Sequence, residues 1–279
     1  MSKAHTLSTH EQHCIITHQC NQPIPADTPI VIGVDEVGRG SLFGQMSVSA
    51  VILPAALSKP FTSLDLSATP LASVGDSKKL TEKQRNLLNP IIRDICHGFV
   101  IVDIPAFVID AIDIYQATLL GMRLAIQTLI IKHNISPHQL NVLIDGNATP
   151  MLSNDFLHYQ PCLQTIIKGD GIHSSIACAS ILAKVHRDTA MMEYAKQYPE
   201  YAIDKHKGYA SQKHRHAIHS FGILPEHRKS FNPMREILAN QHDTNTSDTN
   251  TNTNDTIDTK NNTISNKIDS ITQADLFNN

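Results

Sequence analysis

Short runs of β-branched, apolar residues alternate with longer stretches of helical periodicity, and this alternation limits the folds that the chain can adopt. The pattern predicts strands over 30–34, 47–53, 99–105, 141–147 and 162–170, and helices over 75–96, 106–133 and 174–198. The first two strands are separated by a glycine-rich turn, which favours a hairpin. Strands alternating with helices predict an α/β domain with a mixed central sheet flanked by helices, and the small residues that begin the last helix predict close packing on the sheet.

Composition narrows the class of protein. The chain has 279 residues, of which 41% are hydrophobic, enough to bury a substantial core. It has no run of eighteen apolar residues and no apolar leader, so we expect a cytoplasmic monomer with no membrane segment. The five cysteines lack CxxC spacing, which favours reduced thiols, mostly filling core space, over a disulfide framework or a structural zinc site.

The charge is unevenly distributed along the chain. The formal net charge is −3, and residues 241–279 carry six Asp against two Lys, which leaves the remainder close to neutral. Residues 205–235 hold seven Lys or Arg and five His against a single Glu. This basic patch is consistent with phosphate binding, although a solvated surface helix has the same composition.

Composition also divides the chain into three parts. Residues 1–28 are polar with scattered prolines and predict a loosely attached N-terminal extension. Residues 29–238 contain the strand and helix patterns of the predicted α/β domain. Residues 239–279 are rich in Asn, Thr, Asp and Ser, which predicts a disordered tail because such a segment cannot bury a core.

Carboxylates follow the apolar part of three predicted strands. Asp35 and Glu36 follow the first strand, and Asp145 and Asp170 end two later ones, each next to or within two residues of a glycine. One such acid alone is typical of an ordinary turn, but strand ends converge at the edge of an α/β sheet. Four carboxylates in one place repel each other unless hard cations such as Mg²⁺ or Mn²⁺ offset their charge, and two such ions favour phosphodiester chemistry.

Six ordered motifs resemble those of the ribonuclease HII family. The motifs are GVDEVGRG (33–40), DSKKL (76–80), LIDGN (143–147), KGD with IACASILAKVHRD (168–188), HKGYAS (206–211) and HRKSF (227–231). The resemblance implies a ribonuclease H-like fold whose helical C-terminal portion closes over the substrate. It also implies that Asp35, Glu36, Asp145 and Asp170 are catalytic and hold two Mn²⁺ or Mg²⁺ ions.

The resemblance further implies the reaction. Members hydrolyse the RNA strand of an RNA/DNA hybrid, or cut 5′ to a ribonucleotide embedded in duplex DNA, and leave 3′-hydroxyl and 5′-phosphate ends. The expected roles are in DNA replication and ribonucleotide excision repair.

Substrate contacts are carried over from the matching motifs. Gly38, Arg39 and Gly40, here called the recognition turn, contact the ribose 2′-hydroxyl, and Tyr209 stacks on the deoxyribose beyond the RNA-to-DNA junction. Phosphate contacts are assigned to Lys78, Lys207 and Arg228, with Ser180 and Ser230 as further candidates, whereas Lys184 and Arg187 are assigned to the helix surface.

Five positions depart from the family pattern. Ser41 stands where proline is usual, Phe43 where a small residue is usual, and Gln45 where proline or alanine is common. Gly75 and Asp113 each replace a usual asparagine. The first three lie just outside the recognition turn and put its rigidity, though not the metal site, in question. For Gly75 and Asp113 we expect changed local hydrogen bonds near the substrate.

The extreme C-terminus resembles a second kind of motif. The segment QADLF (273–277) is similar to the peptide with which bacterial replication and repair proteins bind the DNA sliding clamp. The resemblance assigns partner binding to Gln273, Leu276 and Phe277, at the end of a polar tether. A polar tail that ends in Leu-Phe by chance is the alternative.

Two other functions compete with an active ribonuclease HII. Ribonuclease HIII shares the fold and the acids but lacks the Gly-Arg-Gly form of the recognition turn, so Arg39 between two glycines argues against it. A non-catalytic hybrid-binding adaptor tethered to the clamp would gain nothing from four acids beside a phosphate backbone.

Overall fold

The computed structural model of the chain describes residues 9–25, 27–75 and 79–247. Within them, six strands form one sheet in the order β1-β4-β3-β2-β5-β6. Their pairing is antiparallel from β1 to β2 and parallel from β2 through β5 to β6, so the predicted mixed sheet and its first hairpin are confirmed. The strands are β1 (Ile15–Cys20), β2 (Ile30–Val37), β3 (Met46–Ile52), β4 (Gly98–Ile104), β5 (Leu140–Asp145) and β6 (Leu163–Ile166).

Seven α-helices accompany the sheet in the described residues, and the last three form the predicted helical C-terminal portion. The first helix, α1, begins at a capping box in which Thr81 and Gln84 bond each other's backbone N–H groups, as the sequence TEKQ favours. The helices are α1 (Glu82–Ile95), α2 (Ala106–Ile112), α3 (Ile114–His133), α4 (Ser174–Gln197), α5 (Ile203–His206), α6 (Gln212–Phe221) and α7 (Met234–Ser247).

The predicted helix over 106–133 is divided in two at Asp113. This residue has φ of 66°, which no α-helix accommodates, and it separates α2 from α3. Its carboxylate accepts from the N–H groups of Tyr115 at 2.7 Å and Gln116 at 2.9 Å, and so caps α3. The unusual aspartate at this position therefore begins a helix.

Residues 15–20 form an edge strand, whereas the sequence predicts that residues 1–28 are loosely attached. β1 pairs antiparallel with β4, so that Ile15 lies opposite Asp103 and Cys20 opposite Gly98. All six side chains of β1 are exposed. The prediction of a loose segment is wrong here because backbone hydrogen bonds hold this strand, and hydropathy does not detect them.

The core lies on both faces of the sheet. On one face, α3 packs against β2, β3 and β4 through residues such as Val48, Val102 and Leu129. On the other face, α4 and α1 cover Val51 and Ile101. This two-sided covering explains why the central strands are almost continuously apolar.

Helix α3 also has the length and composition of a membrane span. It is 20 residues long, and its most apolar stretch has a mean hydropathy of 1.3. However, 61% of that stretch is buried inside the protein, as is usual for the core helix of a globular domain. No other helix among the described residues has this property, so the case for a membrane segment is weak.

The chain divides into two units, Met1–Leu238 and Ala239–Asn279. In the described part, α7 continues to Ser247 and therefore extends past residue 239, where composition predicts that the disordered tail begins.

Helix α4 approaches β2 as closely as the sequence predicts. The residues from Ser174 to Ala183 are all buried, and a Cβ atom added to Gly33 would lie 2.2 Å from the backbone carbon of Ser175. Backbone cannot yield to such an overlap as a flexible side chain can. The distance between α4 and β2 therefore requires glycine at position 33.

We expect Gly33→Ala to lower the free energy of unfolding by at least about 2 kcal/mol, because the new methyl group overlaps the α4 backbone. Chemical denaturation measures this change. Gly171→Ala is the control, since a Cβ there meets no atom within 4 Å. Equal stability of the two variants would contradict the required approach.

Candidate active site

Strand pairing brings three of the four predicted acids together. Asp35 and Glu36 lie in the last part of β2, and Asp145 ends the adjacent strand β5. The parallel register pairs Val34 with Ile144, so the next residues along the two strands, Asp35 and Asp145, are at the same level. The sequence alone cannot establish this adjacency.

Asp170 reaches the same edge through a turn rather than at the end of a strand. β6 ends at Ile166, short of the predicted 162–170, and residues Gly169–Gly171 form a 3-10 turn. The N–H of Gly169 donates to Oδ1 of Asp145 at 2.6 Å, and the following Asp170 is buried. The turn therefore places the fourth acid next to a residue in direct contact with Asp145.

The electrostatics of Asp35 reflect this clustering. Burial, followed by the neighbouring carboxylates of Glu36 and Asp145, raises the pKa of Asp35 well above its ordinary value. Hydrogen bonds from the Ser180 hydroxyl and the Glu36 N–H favour the charged form and partly offset these effects. The site therefore concentrates negative charge where water does not solvate it fully.

A cavity of about 340 Å³ is lined by two of the acids, Asp35 and Glu36, and by Tyr209. Lys184 and Arg85 contribute positive charge to its wall. Arg85 was not predicted from the sequence, although its place on α1 shortly after DSKKL could have indicated it. The full lining is Asp35, Glu36, Val37, Arg85, Ser180, Lys184 and Tyr209.

A second cavity, of about 150 Å³, lies beside Glu36 and Asp145. Arg39 of the recognition turn lines it, as do Tyr115 and Asn147, neither of which was predicted. Glu36 lines both cavities and is therefore shared between them.

The recognition turn adjoins the acids directly. Nη1 of Arg39 lies 3.5 Å from Oε1 of Glu36, in a half-exposed ion pair. A Cβ added to Gly40 would meet nothing within 4 Å, whereas Gly38 has φ of 92° and contacts Arg187. The open space at Gly40 fits the predicted approach of a substrate sugar, while Gly38 is required by the protein's own packing.

Arg187 is a buried residue, and its assignment to the helix surface is wrong. Its guanidinium is fully shielded and donates to backbone carbonyls and to the Ser41 hydroxyl. Hydrophobic periodicity misses such a residue because it treats every arginine as solvent-facing. Lys184, also assigned to the surface, instead lines the cavity and pairs with Asp188 at 2.8 Å.

Arg228 does not have the exposure that its predicted phosphate contact requires. It is fully buried and donates to the carbonyl oxygens of Arg39 at 2.8 Å and Gly44 at 3.2 Å. Burial, and then the neighbouring Arg187, lower the pKa of Arg228. Its contacts support the backbone of the recognition turn, so the predicted phosphate contact is replaced by a structural one.

The remaining predicted substrate residues differ in their surroundings. Ser180 bonds Asp35, as described above, and the Ser230 hydroxyl donates to Asp110 at 2.6 Å. The Lys207 ammonium lies 2.9 Å from Sδ of Met192 at the surface. Lys78, Gln273, Leu276 and Phe277 lie outside the described residues.

Two buried histidines hold the backbone of Tyr209. The N–H of Leu224 donates to Nδ1 of His227 at 2.8 Å, so the proton of neutral His227 is on Nε2. The Nε2–H group of His227 donates a hydrogen bond to Nε2 of His214 at 3.2 Å. The Nδ1–H group of His214 in turn donates to the Tyr209 carbonyl at 3.0 Å. The hydrogen bond that each histidine accepts thus determines which of its ring nitrogens carries the proton.

Phe43 packs against this histidine pair. Its ring centroid lies 4.9 Å from that of His227 and 5.2 Å from that of Tyr194, in edge-to-face geometry. The bulky residue at a usually small position therefore fills a buried aromatic cluster next to the recognition turn.

Among the residues that the structure describes, no group of three or more His, Cys, Asp or Glu side chains is already arranged to hold a metal ion.

The mixed sheet, with clustered carboxylates on adjacent strands beside a cavity that has basic residues, matches the arrangement of the ribonuclease H-like fold. Solved structures agree on the fold. The chain resembles ribonuclease H2 from Pyrococcus horikoshii OT3, with a TM-score of 0.56 and 20% identity over 76% of this chain and 99% of that one. For the PCNA:RNase HII complex from Archaeoglobus fulgidus, the TM-score is 0.50 at 21% identity, and the match covers 73% of this chain and 95% of that one. For Bst-RNase HIII in complex with Mn²⁺, it is 0.55 at 19% identity, covering 76% and 70%.

Sequence comparison gives the family. The profile described as Ribonuclease HII matches residues 32–234. The chain is 46% identical over 222 residues to Ribonuclease HII of Psychrobacter arcticus, covering 74% of this chain and 77% of the relative. It is 43% identical over 207 residues to Ribonuclease HII of Shewanella halifaxensis, and the match covers 74% of this chain and 90% of the relative.

The chain therefore belongs to the ribonuclease HII family, as its motifs predict. It is an endoribonuclease that hydrolyses the RNA strand of RNA/DNA hybrids. Membership in this family excludes the non-catalytic adaptor and favours ribonuclease HII over ribonuclease HIII.

The histidine pair gives the protein a specific acid sensitivity. Burial lowers the pKa of His214 to about 4 and that of His227 to about 3, from an ordinary value of 6.5. The unfolded chain therefore binds protons that the folded chain does not, and the pair's stabilisation is complete above pH 6.5 and lost as the pH falls toward 4.

We expect the free energy of unfolding to fall less steeply between pH 6.5 and pH 4 in His227→Gln than in the wild type, because one of these groups no longer titrates. Denaturation at a series of pH values measures this slope. The control, His216→Gln, makes the same change at an exposed position of α6. Equal slopes for wild type and His227→Gln would contradict the buried neutral pair.

Proposed function

We propose that Asp35, Glu36, Asp145 and Asp170 are the catalytic acids, and that the enzyme cuts both RNA/DNA hybrids and duplex DNA on the 5′ side of a single ribonucleotide. The observation that carries this proposal is the raised pKa of buried Asp35 beside two further carboxylates. Such an arrangement is unfavourable for folding and is typical of functional sites.

The donor set fits divalent metal ions. All four side chains offer carboxylate oxygens, which Mg²⁺ and Mn²⁺ prefer, and positive charge would relieve the repulsion that raises the pKa of Asp35. We propose that these four acids hold two such ions, which would activate water and stabilise charge on the leaving oxygen. The similar Bst-RNase HIII is known in complex with Mn²⁺, and either ion suits the donors here.

The groups around the acids support selection of the substrate. Glu36 lines both cavities, with the recognition turn at one and Tyr209 at the other. We propose that the turn contacts the ribose 2′-hydroxyl and that the Tyr209 ring stacks on the next deoxyribose. The scissile phosphate would then lie between them, over the acids.

Positive charge in the larger cavity supports binding of the nucleic-acid backbone. Arg85 and Lys184 line it together with Tyr209, on helices α1 and α4 respectively. We propose that both contact phosphates of the bound strand, in addition to Lys78 and Lys207 from the matching motifs.

We expect Asp145→Asn to reduce the cleavage rate by at least about 100-fold, because the substitution removes one of the charges on which the site depends. The measurement is cleavage of a DNA duplex that contains one ribonucleotide, with Mg²⁺ and separately with Mn²⁺. Asp94→Asn, an exposed change on α1, is the matched control. Wild-type cleavage by Asp145→Asn would show that the acids have another role.

We also propose that the C-terminal residues Gln273, Leu276 and Phe277 bind the DNA sliding clamp. The polar composition of residues 239–279 suits a tether, which raises the local concentration of the enzyme on DNA. The similar Archaeoglobus protein is known in complex with PCNA, and the present chain carries its own candidate peptide.

A peptide of residues 270–279 is expected to bind the purified bacterial clamp, and the same peptide with Leu276→Ala and Phe277→Ala to lose at least about tenfold in affinity, because two buried apolar side chains are removed. Fluorescence anisotropy measures both affinities. A peptide with Asn278→Ala and Asn279→Ala is the control. Equal binding by all three peptides would contradict the proposal.

A further inference from the structure

The recognition turn and Tyr209 are joined by backbone pairing. Ser41 and Tyr209 form an isolated antiparallel bridge, and the N–H of Leu42 donates to the Gly208 carbonyl at 2.9 Å. A second bridge pairs Phe43 with His227. The two substrate-contacting segments, far apart in sequence, thus belong to one local structure.

Arg187 bonds both of these segments with one guanidinium. On the side of the turn, Nη2 donates to the Ser41 hydroxyl at 2.7 Å and to the Phe43 carbonyl at 3.1 Å, and Nε donates to the Gln45 carbonyl at 2.9 Å. On the side of Tyr209, Nη1 donates to the Lys207 carbonyl at 3.0 Å. The planar guanidinium therefore fixes the spacing between the two segments, which lysine cannot do with a single ammonium.

The packing around Arg187 leaves little room for adjustment. Gly38 has φ of 92°, and a Cβ there would lie 2.3 Å from Nε of Arg187. Gly208 has φ of 82°, and a Cβ there would lie 2.7 Å from the Ser41 hydroxyl oxygen. Gly38 thus allows the recognition turn to approach the guanidinium, and Gly208 allows the segment of Tyr209 to approach Ser41.

Arg187 also contacts the ring of Tyr209, which is proposed to stack on the substrate. Its guanidinium carbon is 5.5 Å from the centre of the Tyr209 ring. Because the arginine is fully buried, its hydrogen bonds and this ring contact are directed to the protein itself. Its effect on the reaction is therefore exerted through the position of the turn and of Tyr209.

We infer that Arg187 is a positioning residue that couples the recognition turn to Tyr209, and that Ser41 is its partner in this coupling. The pair fixes the distance between the group that contacts a ribose and the group that contacts the following deoxyribose. The inference rests on the proposed function. It also explains Ser41, whose hydroxyl supplies an acceptor that proline, the residue usual in the family, lacks.

The coupling has a consequence for selectivity between substrates. At a single ribonucleotide in DNA, the strand can bind in only one position that places the ribose at the turn and the next deoxyribose at Tyr209. A change in the spacing of the turn and Tyr209 therefore directly weakens transition-state binding. In a continuous RNA/DNA hybrid, every sugar of the cut strand is a ribose and many registers are available. Loss of the coupling should therefore reduce junction cleavage more than hybrid cleavage.

The experiment compares kcat/KM on a duplex with one embedded ribonucleotide and on a continuous RNA/DNA hybrid. For Arg187→Lys, we expect the ratio of the two values to fall about tenfold, the factor that corresponds to one hydrogen bond to a charged group. For Ser41→Ala, we expect a smaller fall in the same direction, because the Phe43 carbonyl still accepts from Nη2.

Two further variants complete the set. Ser58→Ala removes a buried hydroxyl that bonds Ser175 at 2.7 Å and lines neither cavity of the active site, so it should keep the wild-type ratio. Tyr209→Ala gives the ratio expected when one of the two contacts is absent. Circular dichroism and thermal unfolding establish that each variant is folded before its kinetics are compared.

The outcomes distinguish the inference from the function on which it rests. If the wild type cuts neither substrate, the proposed function fails. If the wild type cuts both and folded Ser41→Ala and Arg187→Lys keep its ratio, the coupling is overturned. Equal losses on both substrates would also overturn it, since they indicate a general effect on the active site.

Discussion

The close approach of helix α4 to strand β2 governs the geometry of the active site. Glycine at position 33 allows the two backbones to pack without an intervening side chain. As a result, one face of α4 reaches three parts of the site in succession. Ser180 bonds Asp35, Lys184 lines the cavity, and Arg187 bonds Ser41, directly after the recognition turn. A wider spacing would detach all three contacts at once.

The same packing places charge where it is unfavourable for folding. Asp35 is shielded from water by the helix and lies beside other carboxylates on its own strand and on β5, which is why its pKa is raised. A protein selected for stability alone would not keep this arrangement. The protein tolerates this electrostatic repulsion because the surrounding sheet and helices are extensively apolar. The clustered charge in turn gives the site its capacity to bind cations.

The C-terminal portion contributes buried polar groups that hold backbone rather than contact substrate. Arg228 donates to the Arg39 carbonyl of the turn, and Arg187 donates to the carbonyls of Gln45 and Lys207. The His214 and His227 pair holds the carbonyl of Tyr209. Such groups are unfavourable to bury unless they are hydrogen-bonded, and their bonds in turn restrict the loops that they contact. The precision of the site therefore comes from residues that a list of substrate contacts would omit.

The sequence alone predicted the α/β class, five of the six strands that the structure describes, and the four candidate acids with their motifs, because strand and helix periodicity and local motifs are properties of neighbouring residues. It did not determine the edge strand β1, the break at Asp113, or the burial of Arg187. These depend on backbone pairing and on contacts between distant segments, which periodicity does not record. Only the tertiary structure placed Asp145 beside Asp35 and joined the recognition turn to Tyr209, because both relations are set by strand register and helix packing.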